Sequence, residues 1–113
     1  MLSKKHQLPP FLIKKILKEG SKQTGDFLYI KFLNTPLLSN KALAVFIPKK
    51  SFKKATQRNL LKRRVKYAVL GFLNQIKPGF GIIVFIKNNN KDFNYQDLKK
   101  DLIKVFKKSG IID

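Results

Sequence analysis

Residues 42–76 read A-L-A-V-F-I-P-K-K-S-F-K-K-A-T-Q-R-N-L-L-K-R-R-V-K-Y-A-V-L-G-F-L-N-Q-I, and the hydrophobic period changes once within them. Ala42 to Ile47 is apolar at every position, the pattern of a strand covered on both faces, and Pro48 ends its ladder. From about Ala55 to Ile76 the spacing becomes helical. Leu61, Val65, Ala68, Val69, Phe72 and Ile76 fall on one side at i, i+4, i+7, i+8, i+11 and i+15. A strand that passes through a lysine-rich turn into a long helix is the kernel of the fold.

On its C-terminal side, Pro78-Gly79 ends the helix and Gly81 to Lys87 forms a β-branched, wholly apolar strand suited to the middle of a sheet. Asn88 to Lys91 reads as a polar turn. Asn94 with Asp97 is a capping pair for a last helix through Ser109, with Leu98, Leu102, Val105 and Phe106 as its core stripe. On the N-terminal side, Pro9 to Gly20 reads as a helix opened by proline. Ile13, Ile16 and Leu17 are its buried stripe and Gly20 a left-handed stop. Phe27 to Leu33 alternates as a strand, and turn residues 34–40 predict a hairpin with Ala42–Ile47. Two registers fit: Tyr29 with Lys31 on the wet face, or Leu28 with Ile30. A short strand at Ser21 to Thr24 is optional. The predicted class is α+β, a small sheet packed with helices in the order α-β-β-(β)-α-β-α, one domain over residues 1–113.

The chain has 113 residues, with 25 Lys plus Arg against 6 Asp plus Glu, a formal charge of +19. At 43% hydrophobic residues it is too apolar for a disordered basic tail. The absence of cysteine excludes disulfides, a thiolate nucleophile and Cys-ligated zinc, and fits a reducing compartment. No apolar run approaches the roughly 20 residues of a membrane span, and the N-terminal region does not read as a signal peptide. The acids are Glu19, Asp26, Asp92, Asp97, Asp101 and Asp113, so the stretch from Phe27 to Lys91 holds 14 Lys and Arg and no acid. Such self-repulsion is relieved by a bound polyanion, which points to nucleic acid.

No catalytic constellation emerges. His6 stands alone in a cationic, mobile N-terminal segment, as neither ligand nor base. Asp97 and Asp101 lie at i, i+4. Their reading as a metal or acid/base pair is weaker than offsetting the helix dipole and pairing with Lys100 and Lys104. Gly79-Phe80-Gly81 precedes a strand and is no phosphate loop. The chemistry lies in Pro48 to Tyr67, with nine basic residues between Lys49 and Lys66 and no acid to pair them. Arg58 projects near the meridian of Val65 and Ile76. Either the helix begins after it, or it reaches past the apolar stripe into a groove.

At these residues the chain resembles the protein component of bacterial ribonuclease P. That family joins a strand ending in K-K to a helix carrying A-x-x-R-N-R-x-K-R. The matching residues are Lys49-Lys50 and then Ala55-Thr56-Gln57-Arg58-Asn59-Leu60-Leu61-Lys62-Arg63. The resemblance implies a two-layer α+β sandwich with a left-handed βαβ crossover, against the usual hand. It implies an RNA-docking set of Lys49, Lys50, Lys53, Lys54, Arg58, Asn59, Lys62, Arg63 and Lys66. It further implies a cleft for the single-stranded 5′ leader of precursor tRNA, with Ile13, Leu17, Tyr29 and Lys31 as candidates. The partners would be the catalytic RNA and precursor tRNA in the bacterial cytoplasm. Cleavage would be carried out by the RNA with Mg2+, none of it held by the protein, and no protein residue would be catalytic. Two departures stand out: Leu60 replaces an arginine, and Ile13 and Leu17 stand where aromatics are frequent. The competing readings are a small ribosomal or RNA-chaperone protein and an architectural DNA binder. A membrane-surface protein is excluded, because the amphipathic helices are needed to bury the core.

Overall fold

Strand β4 (Phe80–Ile86) sets the architecture, because it is hydrogen-bonded along both edges. A computed structural model describes residues 6–87 and 94–113, so the expected turn at 88–91 lies outside the described residues. The other elements are α1 (Pro10–Glu19), β1 (Ser21–Thr24), β2 (Leu28–Asn34), β3 (Ala42–Phe46), α2 (Ala55–Leu70) and α3 (Tyr95–Lys108). The sheet order is β1-β2-β4-β3, with β4 antiparallel to β2 and parallel to β3. The α+β class, the mixed sheet and the element order are those expected, and the optional strand at Ser21–Thr24 is present. The hairpin is not. The segment after Asn34 leaves a gap one strand wide between β2 and β3, and β4 fills it after the α2 crossover. An all-apolar strand loses most water contact when both edges and both faces are covered, which outweighs the local closure of a hairpin.

The two faces of the sheet differ. On one, Leu28, Ile30, Leu43, Val45, Ile82, Val84 and Ile86 pack against α2 and α3 through Leu61, Val65, Leu102 and Phe106. The ring of Phe72 meets that of Phe106 edge-on at 5.3 Å. On the other, Leu8, Leu12, Ile16, Ala42 and Ile83 make a smaller core beneath α1. The helix can lie this close because Gly81 has no side chain: a Cβ there would stand 2.8 Å from Ile16 Cδ1. Pro9 and Pro10 occupy the N-cap and first position of α1, as expected. Its buried stripe, however, is Leu12 and Ile16, with Ile13 partly covered and Leu17 exposed. One face of a short helix on a flat sheet needs only two such positions. Gly20 leaves α1 in extended conformation at φ −71°, not as a left-handed stop.

Two N-terminal and acidic residues depart from expectation. His6 is buried, not mobile, because residues 6–8 run beside β3. Gln7 bridges Leu43 and the Leu8 amide donates to the Leu43 carbonyl at 3.3 Å, covering an otherwise open edge. Asp101 is only 4% exposed, and its two carboxylate oxygens accept the Asp26 and Phe27 amides, each at 2.9 Å. It therefore ties α3 to the β1–β2 turn instead of pairing with Lys104, which reaches Asp26 at 3.7 Å. Asn94 caps α3 by accepting the Asp97 amide at 2.9 Å, as expected.

Replacing Asp101 by Ala strands two amide donors, at about 1–3 kcal/mol for each that water does not reach. Urea unfolding of Asp101→Ala should therefore show a loss of about 2 kcal/mol or more. Asp97→Ala, which removes only a partly exposed charge near the helix start, should cost about 0.5 kcal/mol. Equal losses for the two would refute the tie.

Candidate nucleic-acid interface

The first surface begins where β3 ends. Pro48 stops the ladder, and the turn through Lys49, Lys50, Lys53 and Lys54 leaves all four side chains exposed. α2 then starts at Ala55 with no acidic residue in its first turn, so its positive pole adds to those lysines. With Leu61, Val65, Ala68 and Val69 held in the core, Asn59 and Arg63 are exposed and Lys62 and Lys66 half-buried. The sequence-predicted docking residues thus share one continuous surface, the loop and the outer side of α2.

Arg58 occupies neither of the positions expected of it. The helix starts before it, and its guanidinium turns back on the preceding loop. Nη1 donates to the carbonyls of Phe52 at 2.8 Å and Lys53 at 2.9 Å. A charged donor at an apolar meridian is explained by those two carbonyls, which the turn leaves without strand or helix partners. Arg58 pins the loop that carries the lysines. In Arg58→Gln, hydrogen exchange at the Phe52 amide, which donates to Pro48 O at 3.1 Å, should quicken by about tenfold. Exchange at Val65, in the buried face of α2, should be unchanged, and an unaltered Phe52 rate would refute the pin.

The second surface is the part of the sheet that α1 leaves open. Residues of β2, β4 and β3 that lie opposite one another follow their register: Tyr29, Phe85 and Phe46 form one row. Their rings stack in series, Tyr29 on Phe85 at 4.7 Å and Phe85 on Phe46 at 5.5 Å. Small Ala42, Ala44 and Gly81 lie toward α1, and the large rings lie where no helix covers them. Lys22 sits over the Tyr29 ring at 4.5 Å and is directly opposite Lys31 across the β1–β2 ladder. Their ammonium groups part, Lys22's to that ring and Lys31's to the Leu17 carbonyl, which relieves the repulsion of like charges placed opposite on a sheet. Tyr29, Phe85, Phe46 and Lys22, together with Thr24 and Lys87, border an open cleft of about 540 Å³, and Lys31 lies outside its lining.

Of the leader-cleft candidates, Tyr29 lines this cleft, which selects the register with Tyr29 and Lys31 on the wet face. Lys31 directs its ammonium to the Leu17 carbonyl at 3.4 Å, at the end of α1. Ile13 packs at the edge of the smaller core and Leu17 is exposed, both on α1 beside the cleft rather than among its lining residues. Phe46, Phe85 and Lys22 were missed. β3 and β4 read as covered on both faces, and only the half-length of α1 uncovers their ends. The usable signal was an aromatic of matching parity near the end of each strand.

Among the described residues no three His, Cys, Asp or Glu gather as a metal site. Asp101 spends both oxygens on backbone amides, and Asp26 faces Lys104. Nor, among the described residues, is any helix long and apolar enough to cross a membrane.

Comparison with known proteins bears on the family and the fold. A family model described as Ribonuclease P matches residues 3–110. The ribonuclease P protein component of Picosynechococcus sp. is 36% identical over 107 residues, covering 90% of this chain and 91% of the relative. Among solved structures, the RNase P protein of Staphylococcus aureus superposes with a TM-score of 0.85 at 19% identity, covering 96% of this chain and 98% of that one, a likeness of fold. That of Thermotoga maritima superposes with a TM-score of 0.75 at 25% identity, covering 90% and 96%. A basic loop and helix, an aromatic cleft on the opposite sheet face and near-complete alignment lead to one conclusion: the chain belongs to the ribonuclease P protein family.

Proposed function

We propose that the two surfaces divide the work of a ribonuclease P protein subunit, a component of an endoribonuclease acting in tRNA 5′ maturation. The basic loop and α2 dock on the catalytic RNA. Lys49, Lys50, Lys53, Lys54, Lys62, Arg63 and Lys66 meet phosphates, and Asn59 offers a hydrogen bond to phosphate, sugar or base. Arg58 holds the loop in place and keeps its remaining N–H groups for the RNA. The cleft on the other sheet face takes the unpaired 5′ leader of precursor tRNA. A base stacks on Phe46, the exposed end of the ring row that Phe85 and Tyr29 brace from behind, and Lys22 and Lys31 supply positive charge for the flanking phosphates. Leu17, exposed on α1 beside the cleft, offers the leader a further apolar contact, with Ile13 packed beneath α1.

The observation that carries this reading is the ring row flanked by two opposed lysines. An exposed ring face accepts any base, and lysines take phosphates whatever the sequence, the chemistry of a single strand bound without regard to sequence. In this reading bond cleavage belongs to the RNA with Mg2+, as the resemblance to the family implies. The setting is the bacterial cytoplasm.

Reconstitution tests the whole assignment. Adding the protein to its cognate catalytic RNA at low Mg2+ should raise cleavage of precursor tRNA. No stimulation would reject it, and equal affinity for any duplex would favour an RNA chaperone or a DNA binder. Neutralising two of the α2 lysines should lower the slope of log affinity against log salt by about one per lost phosphate contact. Phe46→Ala, at an exposed ring, should weaken binding of precursor with a leader by about 1–3 kcal/mol. It should leave mature tRNA affinity unchanged, and a loss shared equally by both RNAs would remove the leader from this cleft.

A further inference from the structure

The outer surface of α2 has two edges, and only one is polar throughout. At about 100° per residue, Asn59, Lys62 and Lys66 follow one edge, while Leu60, Arg64 and Tyr67 follow the other, with Arg63 between them. The second edge faces the start of α3, where the rings of Tyr67 and Tyr95 approach to 6.1 Å at a tilt of 54°. Leu60 and Tyr67 are 42% and 69% exposed. With Arg63, Arg64 and Tyr95 they border an open depression of about 380 Å³, and none of these lining residues is acidic.

Two large side chains left in water beside two arginines need an occupant that is flat and apolar at one end and anionic at the other. A second copy of this chain would bring another +19 to the surface. A regular duplex keeps its base faces stacked inside and shows phosphates, sugars and base edges, for which rings and a leucine offer little. An unpaired nucleobase with its flanking phosphates satisfies both halves: the base stacks on the tyrosine rings over Leu60, and Arg63 and Arg64 take the phosphates. Leucine at position 60, where the resembled motif has arginine, then forms part of an apolar bed.

Building on the proposed docking of α2 on RNA, we infer that Leu60, Arg63, Arg64, Tyr67 and Tyr95 form a pocket for one unpaired nucleotide extruded from that structured RNA. It is separate from the leader cleft, which lies on the opposite face of the sheet. Its occupant is read by stacking, so it discriminates bulged from fully paired RNA rather than one base sequence from another.

The chain contains no tryptophan, so Tyr67→Trp places a single reporter in the pocket. The probes are a hairpin RNA with one bulged adenosine and the same hairpin without it. The bulged hairpin should quench the tryptophan and bind the wild-type chain about fivefold to hundredfold more tightly than the paired one. Tyr67→Ala should abolish that preference and Tyr67→Phe should keep it, with circular dichroism confirming that both variants remain folded. Equal affinity of the wild-type chain for the two hairpins overturns the pocket, as does an unchanged preference in Tyr67→Ala. So does quenching that follows protein concentration without RNA, which would mark self-association. If Lys62→Gln with Lys66→Gln leaves the affinity for both hairpins intact, the docking reading itself fails and the pocket with it.

Discussion

Strand β4 lies between an antiparallel and a parallel neighbour, and both candidate binding surfaces depend on that position. Because β3 and β4 are parallel, the chain must leave the sheet after β3 and return through a crossover, and that crossover is α2. The exit loop and the helix are therefore placed together at the end of β3, where the basic residues occur. Because β4 is central, its two faces serve different purposes. Ile82, Val84 and Ile86 face the main core, while Gly81, Ile83 and Phe85 face α1 and the cleft. Gly81 lets α1 approach at one end, and Phe85 anchors the ring row at the other.

The charge distribution follows the same division. A chain at +19 retains few acids, and several have defined partners instead of being spread as counter-charge. Asp101 joins α3 to the β1–β2 turn, Asp26 meets Lys104, Glu19 meets Lys15, and Asp113 meets Lys77. None of these lies on the exit loop or α2. Among the described residues no salt bridge reaches the exit loop or α2, so an external polyanion would offset the repulsion there.

The elements themselves were legible because each has a strong local signature: the period change at Ala55, the proline start of α1, the Asn94 cap and the apolar run of β4. Errors arose where a residue answers to a distant partner. The hairpin between β2 and β3 was the shortest closure available to local reasoning, and the strand that separates them lies far along the chain. Asp101 at i, i+4 from Asp97 looked like part of an exposed pair, whereas its partners are backbone amides 74 and 75 positions earlier. His6 read as part of a mobile tail because nothing local shows that residues 6–8 cover the edge of β3. Leu17 looked like core because periodicity counts apolar residues without knowing how wide a face the neighbour covers.

By itself, the sequence determined what short-range physics controls: element type from hydrophobic period, helix ends from proline and asparagine, and an acid-free basic segment that forms one exposed surface. The motif around Arg58 and Asn59 led to the family. Tertiary structure alone decided strand order, which half of the sheet stays open, and hence that Tyr29, Phe85 and Phe46 form one stacked row. It also turned Arg58 back onto its loop and brought Tyr67 beside Tyr95. The physical reason is that burial and hydrogen bonding are settled between segments far apart in the chain, and a periodic pattern records only that a side chain needs cover, not which segment will provide it.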